Sequence, residues 1–137
     1  MAKRVLVVED NELNLKLFCD LLRAHGLLAE GVRDGRDAVT RALAFKPDLV
    51  ITDIQLPHLT GYELIAQFRA DSALRTIPIM AVTAYAGRED EDRIRAAGAN
   101  AYVSKPIALA AFMAQVNVLI APASDSPADD SPASDSA

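Results

Sequence analysis

Short apolar runs alternate with amphipathic stretches from Lys3 to Ala121. "RVLVV" (Arg4 to Val8), "DLVIT" (Asp48 to Thr52) and "IPIMAVT" (Ile77 to Thr83) are continuous, brief and mostly β-branched, the pattern of strands buried on both faces. A weaker strand around Leu28 to Val32 and "AYVS" (Ala101 to Ser104) bring the number to five. Helical spacing fills the gaps. In "NELNLKLFCDLLRAHG" Leu13, Leu17, Leu21 and Leu22 share one face, expected to be the buried one, and Gly26 suits the helix end. "GRDAVTRALAFKP" reads as a second helix stopped by Pro47, and "TGYELIAQFRAD" as a third. "REDEDRIRAAG" is a fourth, its acid-rich run expected to be a solvated face. A last helix from about Leu109 should bury Phe112, Met113, Val116 and Ile120. Strands alternating with helices predict an α/β fold: a (βα)5 flavodoxin-like, doubly wound parallel sheet.

Composition narrows what such a fold does. With 51% hydrophobic residues among 137, the chain suits one soluble domain with a real core. It has no apolar run long enough to span a bilayer and no signal-peptide core after "MAKR", so a cytoplasmic protein is expected. The single cysteine, Cys19, has no disulfide partner in the chain and is expected to pack within its helix. The net charge of -5 is uneven, because "PASDSPADDSPASDSA" carries aspartates and no lysine or arginine. The remainder is nearly neutral, without the basic stripe that nucleic-acid binding requires. The Pro/Ser/Asp/Ala-rich segment 122-137 cannot bury apolar area against its chain entropy, and is expected to be a disordered tail.

Strands of a βαβ series run parallel through right-handed crossovers, so their carboxyl ends line one edge of the sheet. Along that edge stand Glu9 and Asp10, then Asp53, then Thr83, then Ser104 and Lys105. Open sheets bind ligands at the topological switch point, which in the strand order 2-1-3-4-5 falls between strands one and three, beside Asp10 and Asp53. Clustered carboxylates repel one another and imply a cation. Oxygen ligands without histidine or cysteine favour Mg²⁺ over Zn²⁺. Carboxylates, a hydroxyl, an ammonium and a hard metal together make a phosphoryl-transfer site in which one carboxylate can be the nucleophile.

The segments "VVEDN", "PDLVITDIQLPHLTGYEL", "IMAVTAYA" and "AYVSKPI", in this order, resemble the receiver domain of two-component response regulators. The likeness covers residues 3 to 121, and the opening "VEDNELNLKLF" further resembles DivK-type single-domain regulators of alphaproteobacterial cell-cycle control. It implies a receiver domain over 1-121 in which Asp53 accepts a phosphoryl group from a phosphohistidine. Glu9, Asp10, Asp53 and the backbone carbonyl of Gln55 would hold Mg²⁺, Asp10 directly and Glu9 mainly through water. Thr83 and Lys105 would contact the phosphoryl oxygens, and Tyr102 would turn inward as Thr83 is drawn to them. The Lys105–Pro106 bond is typically cis in the family, and Gln55 and Tyr85 flank the route for attacking water. The partners implied are a sensor histidine kinase or histidine phosphotransfer protein, and an output protein that binds the face of the fourth helix, fifth strand and fifth helix. A monomer or weak dimer in the cytoplasm is implied, with cell-cycle or developmental control as its setting.

Taken singly, the residues have simpler roles. Asp10 or Asn11 could cap the first helix, Asp53 could begin a turn, Thr83 could be a locally bonded hydroxyl, Lys105 a surface charge and Tyr102 a half-buried strand aromatic. His25 and His58 have no ligand spacing and are expected at the surface. No effector pattern follows the receiver pattern, so output is expected through binding another protein, the alternative being a phosphorelay shuttle to a histidine phosphotransfer protein. A haloacid dehalogenase-type hydrolase wants a second aspartate two places beyond the nucleophile. Gln55 stands there, and an amide cannot shuttle a proton. A flavodoxin is disfavoured because no hydroxyl-rich phosphate loop follows strand one. The expected protein is a signalling switch with self-directed phosphotransfer and slow autodephosphorylation, not an enzyme.

Overall fold

The computed structural model describes residues 2–84 and 87–120, so Tyr85 and the segment from Pro122 lie outside the described residues. Five strands, β1 (Arg4–Val8), β2 (Leu28–Val32), β3 (Leu49–Asp53), β4 (Ile79–Thr83) and β5 (Ala101–Ser104), form one parallel sheet in the order β2-β1-β3-β4-β5. Five α-helices alternate with them: α1 (Glu12–Ala24), α2 (Ala38–Phe45), α3 (Gly61–Ala70), α4 (Arg88–Ala97) and α5 (Leu109–Ile120). This is the flavodoxin-like arrangement expected from the sequence, with the switch point between β1 and β3.

The period-two alternation of each strand builds a core on either side of the sheet. Leu6, Val8, Val50 and Ile79 face Leu64, Phe68 and Ile94 on one side. Val5, Val7, Ile51 and Met80 face Phe18, Leu22, Phe112 and Val116 on the other. No helix among the described residues is long and apolar enough to cross a membrane.

Local signals set the helix ends. Asn11 caps α1, its side chain accepting from the Asn14 N–H at 2.9 Å. Thr60 and Glu63 close a reciprocal capping box on α3, at 3.2 and 2.9 Å. The second helical segment is split, with a 3-10 turn over Gly35–Asp37 preceding α2 because the Asp34 side chain accepts from the Arg36 N–H. At its other end Lys46 adopts φ 55 before Pro47.

Two expectations about side-chain placement need correction. Leu13 and Leu17 do not lie in the core; they are 77% and 47% exposed. Phe18 stacks on Phe112 at 5.1 Å between centroids, which turns Phe18, Cys19 and Leu22 inward and rotates Leu13 and Leu17 out. The acid-rich run of α4 is not wholly solvated either, since Glu91 is half-buried and accepts from the Tyr102 hydroxyl at 3.1 Å. Cys19 packs in the core, while Ile120 is only partly buried.

At the amino end of the sheet Arg69, on the last turn of α3, ties three segments together. Its guanidinium donates to the carbonyls of Gly98, Arg75 and Ile77 and to Asn100 Oδ1, all at 2.7–3.0 Å. Asn100 Oδ1 also accepts from the Ile79 N–H at 2.9 Å, which extends the tie into β4. Gly98 turns the chain at φ 120 after α4, and a Cβ there would lie 2.8 Å from Arg69 Cγ.

Candidate functional site

At the carboxyl end of the sheet the backbone delivers acids from two neighbouring strands and a lysine from the far edge. Glu9 and Asp10 follow β1, Asp53 ends β3, and Lys105 follows β5. Carboxylate oxygens of Glu9, Asp10 and Asp53 lie within 4.8 Å of one another. Glu9, Asp53 and Thr83 are each no more than 3% exposed.

Asp53 is held at both oxygens. Oδ1 accepts from the Gln55 N–H at 2.9 Å, and Oδ2 accepts from Lys105 Nζ at 2.6 Å. Lys105 Nζ also lies 3.7 Å from Glu9 Oε1. Partial burial disfavours the ammonium, but the Asp53 hydrogen bond and the surrounding negative charge outweigh it and raise the Lys105 pKa. The lysine is a fixed cation here.

Glu9 is the strained member of the set. Its Oε2 accepts from the Asn11 N–H at 3.0 Å, whereas Oε1 is buried without a hydrogen-bond partner among the described residues. Burial is the main cause that pushes its pKa up to about 7; the Asn11 N–H and the Lys105 ammonium oppose it, and the negative charge of Asp53 adds to it. An orphaned carboxylate oxygen beside two further carboxylates fits a hard divalent cation, because a buried polar atom needs a partner and Mg²⁺ takes oxygen ligands.

The loop after β3 completes the edge. Gly61 begins α3 and donates its N–H to Ile54 O at 2.8 Å. A Cβ on Gly61 would stand 2.5 Å from Ile54 Cα and 2.6 Å from Asp53 O, so only glycine lets α3 press this closely on the end of β3. His58 is at the surface as expected, at φ 66, and with Arg33, Asp34, Pro57 and Asp10 it lines a cleft beside the acids. Asn14, Leu17, Phe18, Pro106 and Ile107 line a groove on the other side of Lys105. The Lys105–Pro106 peptide bond is cis.

The fold therefore brings Glu9, Asp10, Asp53 and Lys105 together. Thr83 is buried at the end of the neighbouring strand, where its carbonyl accepts from the Lys105 N–H at 2.7 Å. Gln55 enters through its N–H, and Tyr102 is turned toward α4. Sequence reasoning missed Asn11 as a support for Glu9, Gly61 as the contact that seats Asp53, and Glu91 as the partner of Tyr102. The small residue before "YEL" was the one visible trace of these three.

An acidic well at the switch point of a doubly wound parallel sheet, closed by a lysine just after the last strand, is the layout of a CheY-like fold. Residues 5–117 match the family described as the response regulator receiver domain, and the chain belongs to that family. Among curated proteins, the polar-differentiation response regulator DivK of Brucella anthropi is 48% identical over 113 residues, covering 82% of this chain and 92% of DivK. The receiver domain of the sensor histidine kinase PA1611 from Pseudomonas aeruginosa PAO1, solved with a magnesium ion coordinated in its active-site cleft, superposes with a TM-score of 0.81. It is 33% identical, and the match covers 89% of this chain and all 100% of that one. Vibrio cholerae CheY4 gives a TM-score of 0.83 at 25% identity, covering 87% of this chain and 99% of its own.

Proposed function

We propose that this receiver domain is a phosphorylation switch in which Asp53 takes a phosphoryl group from the phosphohistidine of a sensor kinase or histidine phosphotransfer protein. The observation that carries the reading is the Asp53 carboxylate, buried and gripped by the Gln55 N–H and Lys105, beside the orphaned Glu9 Oε1. An Asp53 oxygen attacks phosphorus, forming the O–P bond as the N–P bond to the donor imidazole breaks and the electron pair leaves with the ring nitrogen. Lys105 stays protonated and neutralises the charge of the incoming group. The Thr83 hydroxyl donates to a phosphoryl oxygen. Glu9, Asp10, Asp53 and the Gln55 carbonyl would hold Mg²⁺, which when bound neutralises the phosphoryl oxygens.

The acyl phosphate adds charge and acceptor oxygens at a packed edge, biasing a two-state equilibrium on the face of α4, β5 and α5. Thr83 moves toward the phosphoryl group, and Tyr102 turns into the space it leaves. An output protein reads that face. The exposed Leu13 and Leu17, with the apolar groove beside Lys105, suit docking of the histidine-bearing donor. The likeness to the polar-differentiation response regulator DivK supports a role in cell-cycle or developmental control. In this reading the switch is cytoplasmic, monomeric or weakly dimeric, and loses its phosphoryl group by slow self-hydrolysis.

Intact-protein mass after incubation with Mg²⁺ and acetyl phosphate tests the acceptor. A single hydroxylamine-labile phosphoryl adduct, absent from Asp53→Ala, is expected. A folded wild type that gives no adduct with either acetyl phosphate or a phosphohistidine donor would overturn the reading.

A further inference from the structure

Helix α4 meets the domain through Ile94 and Ala97 on the core and through a set of polar groups. Ile94 is its one fully buried side chain, while Arg93 lies 4.2 Å from the centroid of the Tyr62 ring on α3. Toward β5 a three-membered cluster forms. The Tyr102 hydroxyl donates to Glu91 Oε1 at 3.1 Å, and Arg95, one turn further along, donates through Nε to Glu91 Oε2 at 3.2 Å. The Arg95 guanidinium also lies 5.9 Å from the centroid of the Tyr102 ring, and its Nη1 donates to Asn100 O at 3.3 Å. Arg95 thus anchors Glu91, and Glu91 anchors Tyr102.

The register of the sheet gives this cluster its consequence. Thr83 pairs with Ser104, so Tyr102, two residues before Ser104, projects from the same face of the sheet as Thr83. A ring that turns toward the end of β4 carries its hydroxyl away from Glu91. We propose that Glu91 is a positioning residue that holds Tyr102 against α4 and so opposes occupation of Asp53 by a phosphoryl group. This inference rests on the proposed acceptor role of Asp53 and on the coupling of that site to Tyr102. By linkage, whatever releases Tyr102 favours the phosphoryl-bound state by the same factor that phosphorylation favours release. The Arg95 pair is part of the device, because it keeps the Glu91 carboxylate where the phenol meets it.

Beryllofluoride, a mimic of the acyl phosphate, can be titrated with Mg²⁺ into the full chain by calorimetry. Glu91→Ala and Tyr102→Phe should each tighten binding roughly three- to tenfold, the size expected for loss of one hydrogen bond. The double variant should gain no more than the larger single gain, because both changes remove the same bond. Glu91→Gln keeps an acceptor oxygen but loses the ionic pair with Arg95, and should fall between wild type and Glu91→Ala. It also supplies the test if the alanine variant melts early. Unchanged affinity in both Glu91 variants, or single gains that multiply in the double variant, would overturn the proposal. A wild type that binds no beryllofluoride with Mg²⁺ would instead remove the acceptor reading on which it rests, an outcome visible before any variant is made.

Discussion

Arg69 and Glu9 sit at opposite ends of the same sheet, and each places a charged group among backbone atoms. The Arg69 guanidinium donates to three carbonyls and the Asn100 side chain, and those bonds hold it in place even though burial lowers its pKa. Glu9 keeps one oxygen without a hydrogen-bond partner among the described residues, and carries a raised pKa beside two more acids. A half-buried charge whose donors are all used is a structural tie. An unsaturated buried one stores unfavourable energy that a ligand can relieve, which is why the carboxyl end reads as the site and the amino end as the brace.

The contrast can be broken from either end. The largest effect is expected from Gly61→Ala, whose Cβ would collide with the backbone of Asp53 and Ile54 rather than with a movable side chain. Overpacking of this kind should cost about 3 kcal/mol in urea unfolding and slow phosphorylation as well, because the end of β3 must shift. Unchanged stability would show that α3 can retreat without cost.

Arg69→Ala should come next, at about 2 kcal/mol, because it leaves several carbonyls to find water or go without. Phosphorylation of Asp53 should proceed at close to the wild-type rate, since the brace lies at the other end of the sheet. A variant that kept its stability but lost phosphorylation would reverse the assignment of the two ends.

Glu9→Gln should have the smallest effect on folding and the opposite sign, about 1 kcal/mol more stable in chelator above neutral pH, where the wild type carries the buried charge. The folded-state pKa of about 7 exceeds the ordinary 4.5, so the folded protein holds a proton that the unfolded chain has released. The stability this contributes is fully present below the unfolded value and is lost as pH rises through the folded one, between about 4.5 and about 7. Chemical denaturation across that window, with EDTA and then with Mg²⁺, should show a fall that Mg²⁺ reverses in the wild type. In Glu9→Gln the Glu9-linked fall should be absent and the Mg²⁺ gain reduced. A flat wild-type profile in EDTA would mean that Glu9 is already satisfied.

Much of this was legible along the chain, for reasons that are local. Strands β1, β3 and β4 are mostly apolar and rich in β-branched residues, and Thr60, Asn11 and Pro47 punctuate the helices through their own hydrogen bonds or lack of them. The clustering of Glu9, Asp10 and Asp53 was legible because parallel strands must end on one edge, which turns separate motifs into neighbours. The facing of α1 was not. Four leucines at helical spacing define an apolar stripe, but of these only Leu22 is fully buried, because the face that packs is the one on which Phe18 meets Phe112, a partner from the last helix.

By itself, the sequence determined the type and succession of strands and α-helices, because periodicity, capping and turn chemistry act within a few residues, and the right-handed crossover rule then made the strands parallel and set which residues end on the carboxyl edge. Tertiary structure alone decided how far each group is satisfied. The same edge gives Asp53 two donors and leaves Glu9 Oε1 none among the described residues, while Arg69 receives four acceptors and Glu91 becomes the partner of Tyr102. Hydrogen-bond satisfaction depends on angstrom-scale distances between segments far apart in the chain, and local pattern carries no information about those distances.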